Sequence, residues 1–314
     1  MNRTQGTGKY EQLLVRTRDL EPVPTAVAHP CESTALVAAL EAAEKGLITP
    51  ILVGPAGKIA DVAKRSGITI GRTEIVDAPH SHGAAAKAVE LVRQGKAELL
   101  MKGSLHTDEL LGAVVARETG LRTGRRISHV FIMDVPTYHK VLIVTDAAIN
   151  IAPDLATKAD IVQNAVDMLR ALGLARPKVA ILSAVETVNP KIPGTLDAAV
   201  LCKMADRGQI TGAVLDGPLA FDNAISRAAA AVKKIASPVA GEADILLAPD
   251  LEAGNMLAKQ LSYLAGADSA GIVLGARVPV ILTSRADSVT SRLASVAIAQ
   301  LLAAARQRAE AVPP

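Results

Sequence analysis

The stretch that decides the fold is residues 97–118, AELLMKGSLHTDELLGAVVARE. Ala97 to Met101 is a short, mostly apolar run of strand length, and from Glu109 to Glu118 the apolar residues return at helical spacing as Leu110, Leu111, Val114 and Val115. A polar turn around Gly103-Ser104 joins them. Strand, tight turn and helix in that order form half of a βαβ unit, and the same alternation extends both ways along the chain. Toward the N terminus the spacing predicts strands at Thr25 to Ala28, Ile48 to Val53 and Glu74 to Val76, each followed by a helix-period segment. Toward the C terminus it predicts strands at Val130 to Met133, Val141 to Val144, Val179 to Leu182, Ile210 to Leu215, Ile245 to Leu247 and Val278 to Leu282. Helices are expected at 157–172, 195–206, 224–233 and 253–264, with a last helix of about twenty residues. The fold class is therefore α/β with mostly parallel sheets.

A chain of 314 residues exceeds one ordinary core and suggests two lobes. The expected division is 1–137 plus 278–314 for the first lobe and 138–277 for the second, the long terminal helix returning to the first. Half of the residues are hydrophobic and 21% charged, so the chain is core-rich rather than disordered. With 3 Tyr, 2 Phe and no Trp, it lacks the stacking platforms of single-strand nucleic-acid binders. A net charge of +3 without a basic cluster gives no support to a nucleic-acid or membrane-surface partner. The longest uncharged stretch, Leu293 to Ala305, is shorter than the ~18 to 20 residues of a membrane-spanning helix, and the polar start MNRTQGTGKY has no apolar signal core. These features read as a soluble, cytoplasmic protein. Cys31 and Cys202 stand alone, without metal-ligand or disulfide spacing.

In open α/β sheets ligands bind beyond the carboxyl ends of the strands, so the strand-to-helix turns carry the candidates. In Met101 to Asp108, Lys102 and the backbone N–H groups near Gly103, with His106 and Thr107 at the helix start, can hold an anion. The same residues also read as an ordinary capped helix with a solvated lysine. In Thr283 to Val289, Ser284, Arg285, Asp287 and Ser288 set hydroxyls, a guanidinium and a carboxylate before a helix, which suits phosphate. There, too, Asp287 or Ser288 can serve only as an N-cap. Asp146 and Asn150, directly after one strand, and Asn255, in the turn after another, are polar enough to bind substrate or merely to form Asx turns and caps. Gly6-Thr7-Gly8-Lys9 follows no strand and reads as a chain terminus rather than a phosphate loop; His80-Ser81-His82 lacks further ligands at metal-site spacing. No GxGxxG and no GxSxG motif occurs.

The segments 29–55, 101–111, 144–155, 216–226, 237–255 and 278–288 together resemble the phosphate acetyl/butyryltransferase family, the butyryltransferase branch in particular. The resemblance implies a two-lobe, three-layer α/β/α fold similar to the isocitrate/isopropylmalate dehydrogenase architecture, usually dimeric, with the active site in the interlobe cleft. It implies the reaction acyl-CoA plus phosphate giving acyl phosphate plus CoA, by direct transfer, with neither a metal nor a redox cofactor and with CoA as substrate or product. Ser284 matches the family's Ser in a Ser-Arg pair and would donate to the oxyanion, while Arg285 would hold phosphate. The acetyltransferase branch has its proposed base, an Asp, seven positions after that Ser; here the position is Ser291, so Asp287 becomes the first candidate, with Asp146, Asp216 and His106 behind it. Two other readings are a non-catalytic acyl-phosphate or CoA sensor and a metal-dependent decarboxylating dehydrogenase of the same fold. The second lacks a convincing carboxylate triplet in the sequence.

Overall fold

The computed structural model describes residues 8–282 and 288–311. The chain divides into two compact units. One, the split unit, comprises Tyr10–Arg125 with Ala270–Pro314; the other, the inserted unit, comprises Arg126–Ser269 with Met1–Lys9.

The elements of the first stretch are α1 (Lys9–Val15), β1 (Val23–Ala28), α2 (Ser33–Glu44), β2 (Ile48–Gly54), α3 (Ala56–Arg65), β3 (Glu74–Asp77), α4 (Ser81–Arg93), β4 (Leu99–Lys102) and α5 (Thr107–Val115). The inserted unit contributes β5 (Ser128–Asp134), β6 (Leu142–Thr145), α6 (Leu155–Ala171), β7 (Lys178–Leu182), α7 (Pro193–Asp206), β8 (Val214–Leu219), α8 (Phe221–Ile225), α9 (Arg227–Val232), β9 (Ile245–Leu247) and α10 (Leu251–Tyr263). The chain then runs through β10 (Asp268–Leu274), β11 (Val280–Ile281) and α11 (Val289–Ala311).

The split unit orders its strands β3-β2-β1-β4-β11-β10. All neighbours are parallel except β10, which runs antiparallel to β11. Parallel strands linked by helices are covered on both faces, which is why β1 and β4 read as near-continuous apolar runs and bury Ala26, Val27, Ala28, Leu99 and Leu100 completely. The long α11 carries a fully buried Gln300, whose side-chain amide donates to the carbonyls of Glu21 (3.1 Å) and Gly46 (3.4 Å). The inserted unit orders its strands β5-β6-β9-β7-β8, with β6, β9, β7 and β8 parallel and β5 antiparallel to β6.

Several sequence expectations shift. The unit boundaries fall at 125/126 and 269/270 rather than 137/138 and 277/278, because β5 pairs along its length with β6, Val130 opposite Thr145. The helix expected at 224–233 is two helices, broken at Ser226, whose hydroxyl accepts from the Ala229 amide and caps α9. The strand expected at Ile210 to Leu215 lies later, at Val214–Leu219. Strand β10 was not expected, since Asp268, Ser269 and Gly271 dilute its apolar run. Lys9, read as part of a loose terminus, is anchored: its ammonium lies 2.9 Å from the Asp134 carboxylate and donates to the carbonyls of Val135 and Tyr138. Among the described residues no helix is long and apolar enough to cross a membrane.

The unexpected strand supports the split unit's core, since Ile272 is fully buried opposite Ile281. Ile272→Ala is expected to cost about 2–5 kcal/mol, read as a lower midpoint in urea unfolding; an unchanged midpoint would contradict this packing.

Candidate active site

At the carboxyl edge of the split unit, β1, β4 and β11 run side by side. Ala28 is in register with Lys102 and Ile281 with Met101, so the chain leaves all three strands at one edge. The exits of β1 and β4 are laced together. The Gly103 amide donates to the Ala28 carbonyl and the Ser104 amide to the His29 carbonyl, both at 2.9 Å. A Cβ on Gly103 would stand 2.3 Å from the Ala28 oxygen and 2.6 Å from the His29 oxygen, so only glycine permits this approach. The Ser104 hydroxyl donates to the His29 carbonyl at 2.7 Å, accepts from the Cys31 amide at 3.1 Å and lies 3.3 Å from His29 Nδ1. His29 itself holds a left-handed backbone, φ 55°, uncommon for a residue with a side chain.

Burial pushes the His29 imidazole below its usual pKa, and the nearby Lys58 ammonium adds to this; Glu109 and Glu32 oppose it. Burial likewise raises the Cys31 thiol, with Lys58 opposing. Lys102 ends β4, half-buried, and Thr107 opens α5 behind an exposed His106 that makes no side-chain cap. The sequence offered the amides near Gly103 to an anion. Those of Gly103 and Ser104 are instead engaged within the protein, and Gly103 acts by letting the two exits touch. Ser288 is the N-cap of α11: its hydroxyl accepts from the Ser291 amide at 3.1 Å and meets the Ser291 hydroxyl at 3.0 Å. Ser284, Arg285 and Asp287 lie outside the described residues.

The inserted unit brings together Asp146, Asn150 and Asn255, but as a scaffold. Buried Asp146 follows β6, and its Oδ1 accepts from the amides of Ala148 (2.9 Å) and Ile149 (3.1 Å). Its Oδ2 accepts from the Asn150 amide (3.1 Å) and side-chain Nδ2 (2.6 Å). Those four donors fill the usual acceptor sites of a carboxylate. Asn150 Nδ2 also donates to the Ile127 carbonyl at 2.9 Å, and Asn255 Nδ2 to the Ala147 carbonyl at 3.0 Å. Helix α10 sits directly on this turn, since a Cβ on Gly254 would lie 2.4 Å from the Asp146 carbonyl. Beside the turn, His129 is buried with no hydrogen bond to Nδ1 among the described residues and its ring set edge-on to Phe131, centroids 4.4 Å apart. Burial lowers its pKa to about 4, with the Asp146 carboxylate opposing. At the exits of β7 and β8, Glu186 accepts from both Asn223 and Lys233, which holds its carboxyl below the usual range, the Lys233 hydrogen bond contributing most.

Residues 81–300 match the family model described as phosphate acetyl/butaryl transferase. The chain is 65% identical to the phosphate acetyltransferase of Rhizobium meliloti over 96% of each protein. The chain belongs to this family. It is 44% identical to the phosphate butyryltransferase of Clostridium acetobutylicum, over 94% of this chain and 98% of that one. Of these two relatives, the acetyltransferase shows the higher identity. A solved branched-chain phosphotransacylase from Enterococcus faecalis V583 superposes with a TM-score of 0.79 at 32% identity, covering 90% of this chain and 99% of that one.

Sequence reasoning passed over His29 and Glu109 and saw Ser104 only as part of a polar turn before a helix. The rule that singled out the other strand exits applies equally to His29-Pro30-Cys31, directly after β1. The signal was in the sequence; the hydrogen bonds that give it meaning link positions 75 residues apart.

Two outcomes follow for the inserted unit. Asp146→Asn puts an NH2 group among four donors and is expected to lower stability by about 2 kcal/mol; an unchanged urea midpoint would contradict the organising role. For His129, the folded-state pKa of about 4 lies below the unfolded value of 6.5. Above pH 6.5 both states are neutral at this site, and its contribution is fully present. As pH falls toward 4 only the unfolded chain gains a proton, so about 3 kcal/mol is lost. His129→Phe is expected to flatten the stability profile across that window; a slope equal to the wild type's would contradict the assignment.

Proposed function

We propose that this chain is a phosphate acyltransferase that moves a short acyl group, acetyl or butyryl, between the thiol of CoA and inorganic phosphate within one ternary complex. The observation that carries the reading is the register of β4 and β11. Leu282, the last described residue before Ser284-Arg285, follows a strand paired with β4 one residue short of Lys102, at the edge where parallel α/β sheets bind ligands. The full-length likeness to phosphate acetyltransferases and butyryltransferases supports the same reaction.

The chemistry needs a site for a multiply charged anion, a donor for the tetrahedral oxyanion and a path for one proton at sulfur. Arg285 supplies a forked cation for phosphate, and Lys102 adds a second positive charge at the neighbouring strand exit. Ser284 donates to the developing oxyanion. Holding both substrates at once converts the transfer into an intramolecular step, so no acyl-enzyme is required. The hydroxyl of Ser288 caps α11. The resemblance does not supply the base: Ser291 is buried and bonded to Ser288.

The free thiols Cys31 and Cys202 suit a reducing, cytoplasmic setting. A homodimer is supported by α10 and its C-cap, which expose Met256, Tyr263 and Leu264.

Phosphate-dependent release of thiol from acetyl- and butyryl-CoA tests the reading. Ser284→Ala is expected to lower kcat about 10²- to 10³-fold. Arg285→Ala is expected to raise the phosphate KM and lower kcat/KM without changing the circular dichroism spectrum. Unchanged phosphate kinetics in Arg285→Ala would reject the anion site.

A further inference from the structure

Among the described residues, the acyltransfer reading has not yet given one proton an acceptor. A free thiol has a pKa of about 8.5, so attack by CoA on an acyl phosphate near neutral pH is helped by a base at sulfur. We propose that His29 is that base, its Nε2 taking the thiol proton, and that Ser104 is the positioning residue that fixes its tautomer; this rests on the acyltransferase reading above.

The tautomer follows from the hydrogen bonds. Ser104 has one hydroxyl proton, and it goes to the His29 carbonyl at 2.7 Å. The 3.3 Å contact between Ser104 Oγ and His29 Nδ1 is then made by the ring N–H, which leaves the lone pair on Nε2. Nε2 has no hydrogen-bond partner among the described residues. The backbone cannot drift, because Gly103 brings β4 against the His29 carbonyl and the end of β2 closes on the other side, a Cβ on Gly54 lying 3.5 Å from His29 Cα.

The charged and titratable groups facing the imidazole are Lys58 on α3, Glu109 on α5, Glu32 before α2 and the neighbouring Cys31 thiol. His82 on α4 reaches Glu109 at 3.9 Å. Burial and Lys58 outweigh the carboxylates, so the ring is neutral and able to accept at pH 7. Strand β1 lies two places from β11, roughly 10 Å at strand spacing.

In the direction that consumes CoA, the S–H proton passes to Nε2 as the S–C bond forms. The C–O bond to phosphate then breaks, phosphate leaves with the bonding pair, and the imidazolium returns its proton to phosphate or water. In reverse, the imidazolium protonates the departing sulfur.

The test is the rate of acyl-CoA formation from CoA and acetyl, propionyl or butyryl phosphate, with the full chain, from about pH 5 to 9. Wild type is expected to lose kcat/KM for CoA below an inflection under pH 6.5, the unshifted histidine value. His29→Gln should reduce it about 10²- to 10³-fold and remove the inflection, and His29→Asn, which tolerates the left-handed backbone, should behave alike. Ser104→Ala should lower the rate about tenfold and move the inflection. A His29 variant that folds and keeps both the rate within threefold and the inflection overturns the proposal. If neither His29 variant folds, Ser104→Ala decides: an unmoved rate and inflection overturn it. Wild type inactive with all three acyl phosphates rejects the acyltransferase reading, and this proposal falls with it.

Discussion

The approach of two strand exits at Gly103 is the constraint on which the candidate site of the split unit depends. Two backbone amides and one hydroxyl from the β4 exit are donated to two carbonyls at the β1 exit, and no side chain fits between them. The consequence is chemical as well as structural. The Gly103 and Ser104 amides, which the sequence offered to an anion, are engaged with the carbonyls of Ala28 and His29. A histidine with left-handed backbone becomes the fixed titratable group there. Strain of this kind is kept only where the surroundings over-determine it.

The inserted unit solves the same problem with different chemistry. There a carboxylate replaces the serine, and Asp146 gathers three backbone amides and a side-chain amide into one turn. Gly254 and Asn255 then seat α10 on that turn. In both units a polar side chain is consumed in shaping a strand exit, and a glycine lets a second element come close. Polarity at such exits therefore has two uses, and counting donors and acceptors separates them: Asp146 is saturated, whereas Nε2 of His29 is open among the described residues.

Much of the α/β alternation was legible because buried parallel strands have to be apolar on both faces, as in β1, β2 and β4. Strand β10 was hidden by its polar start, by Gly271 and by its antiparallel pairing, which no local pattern announces. Strand β8 was displaced because Gln163 ties down both the amide and the carbonyl of Thr211, holding that residue in the connection before the strand. The site was legible in part. Lys102, Gly103, Ser288, Asp146, Asn150 and Asn255 were found as polar residues at strand exits, but their roles depend on partners that sequence spacing does not reveal. Asn255 reaches a carbonyl 108 positions away, and Asp146 accepts from its own following turn.

The central claim is that an acyl group leaves sulfur for phosphate without passing through water. Its most direct measurement follows free thiol and acyl phosphate together, starting from an acyl-CoA and ¹⁸O-labelled inorganic phosphate. The account predicts that the two products appear one for one, that one label ends in the acyl–phosphate bridge, and that no thiol appears without phosphate. Thiol release that proceeds equally without phosphate, or without acyl phosphate, would contradict it.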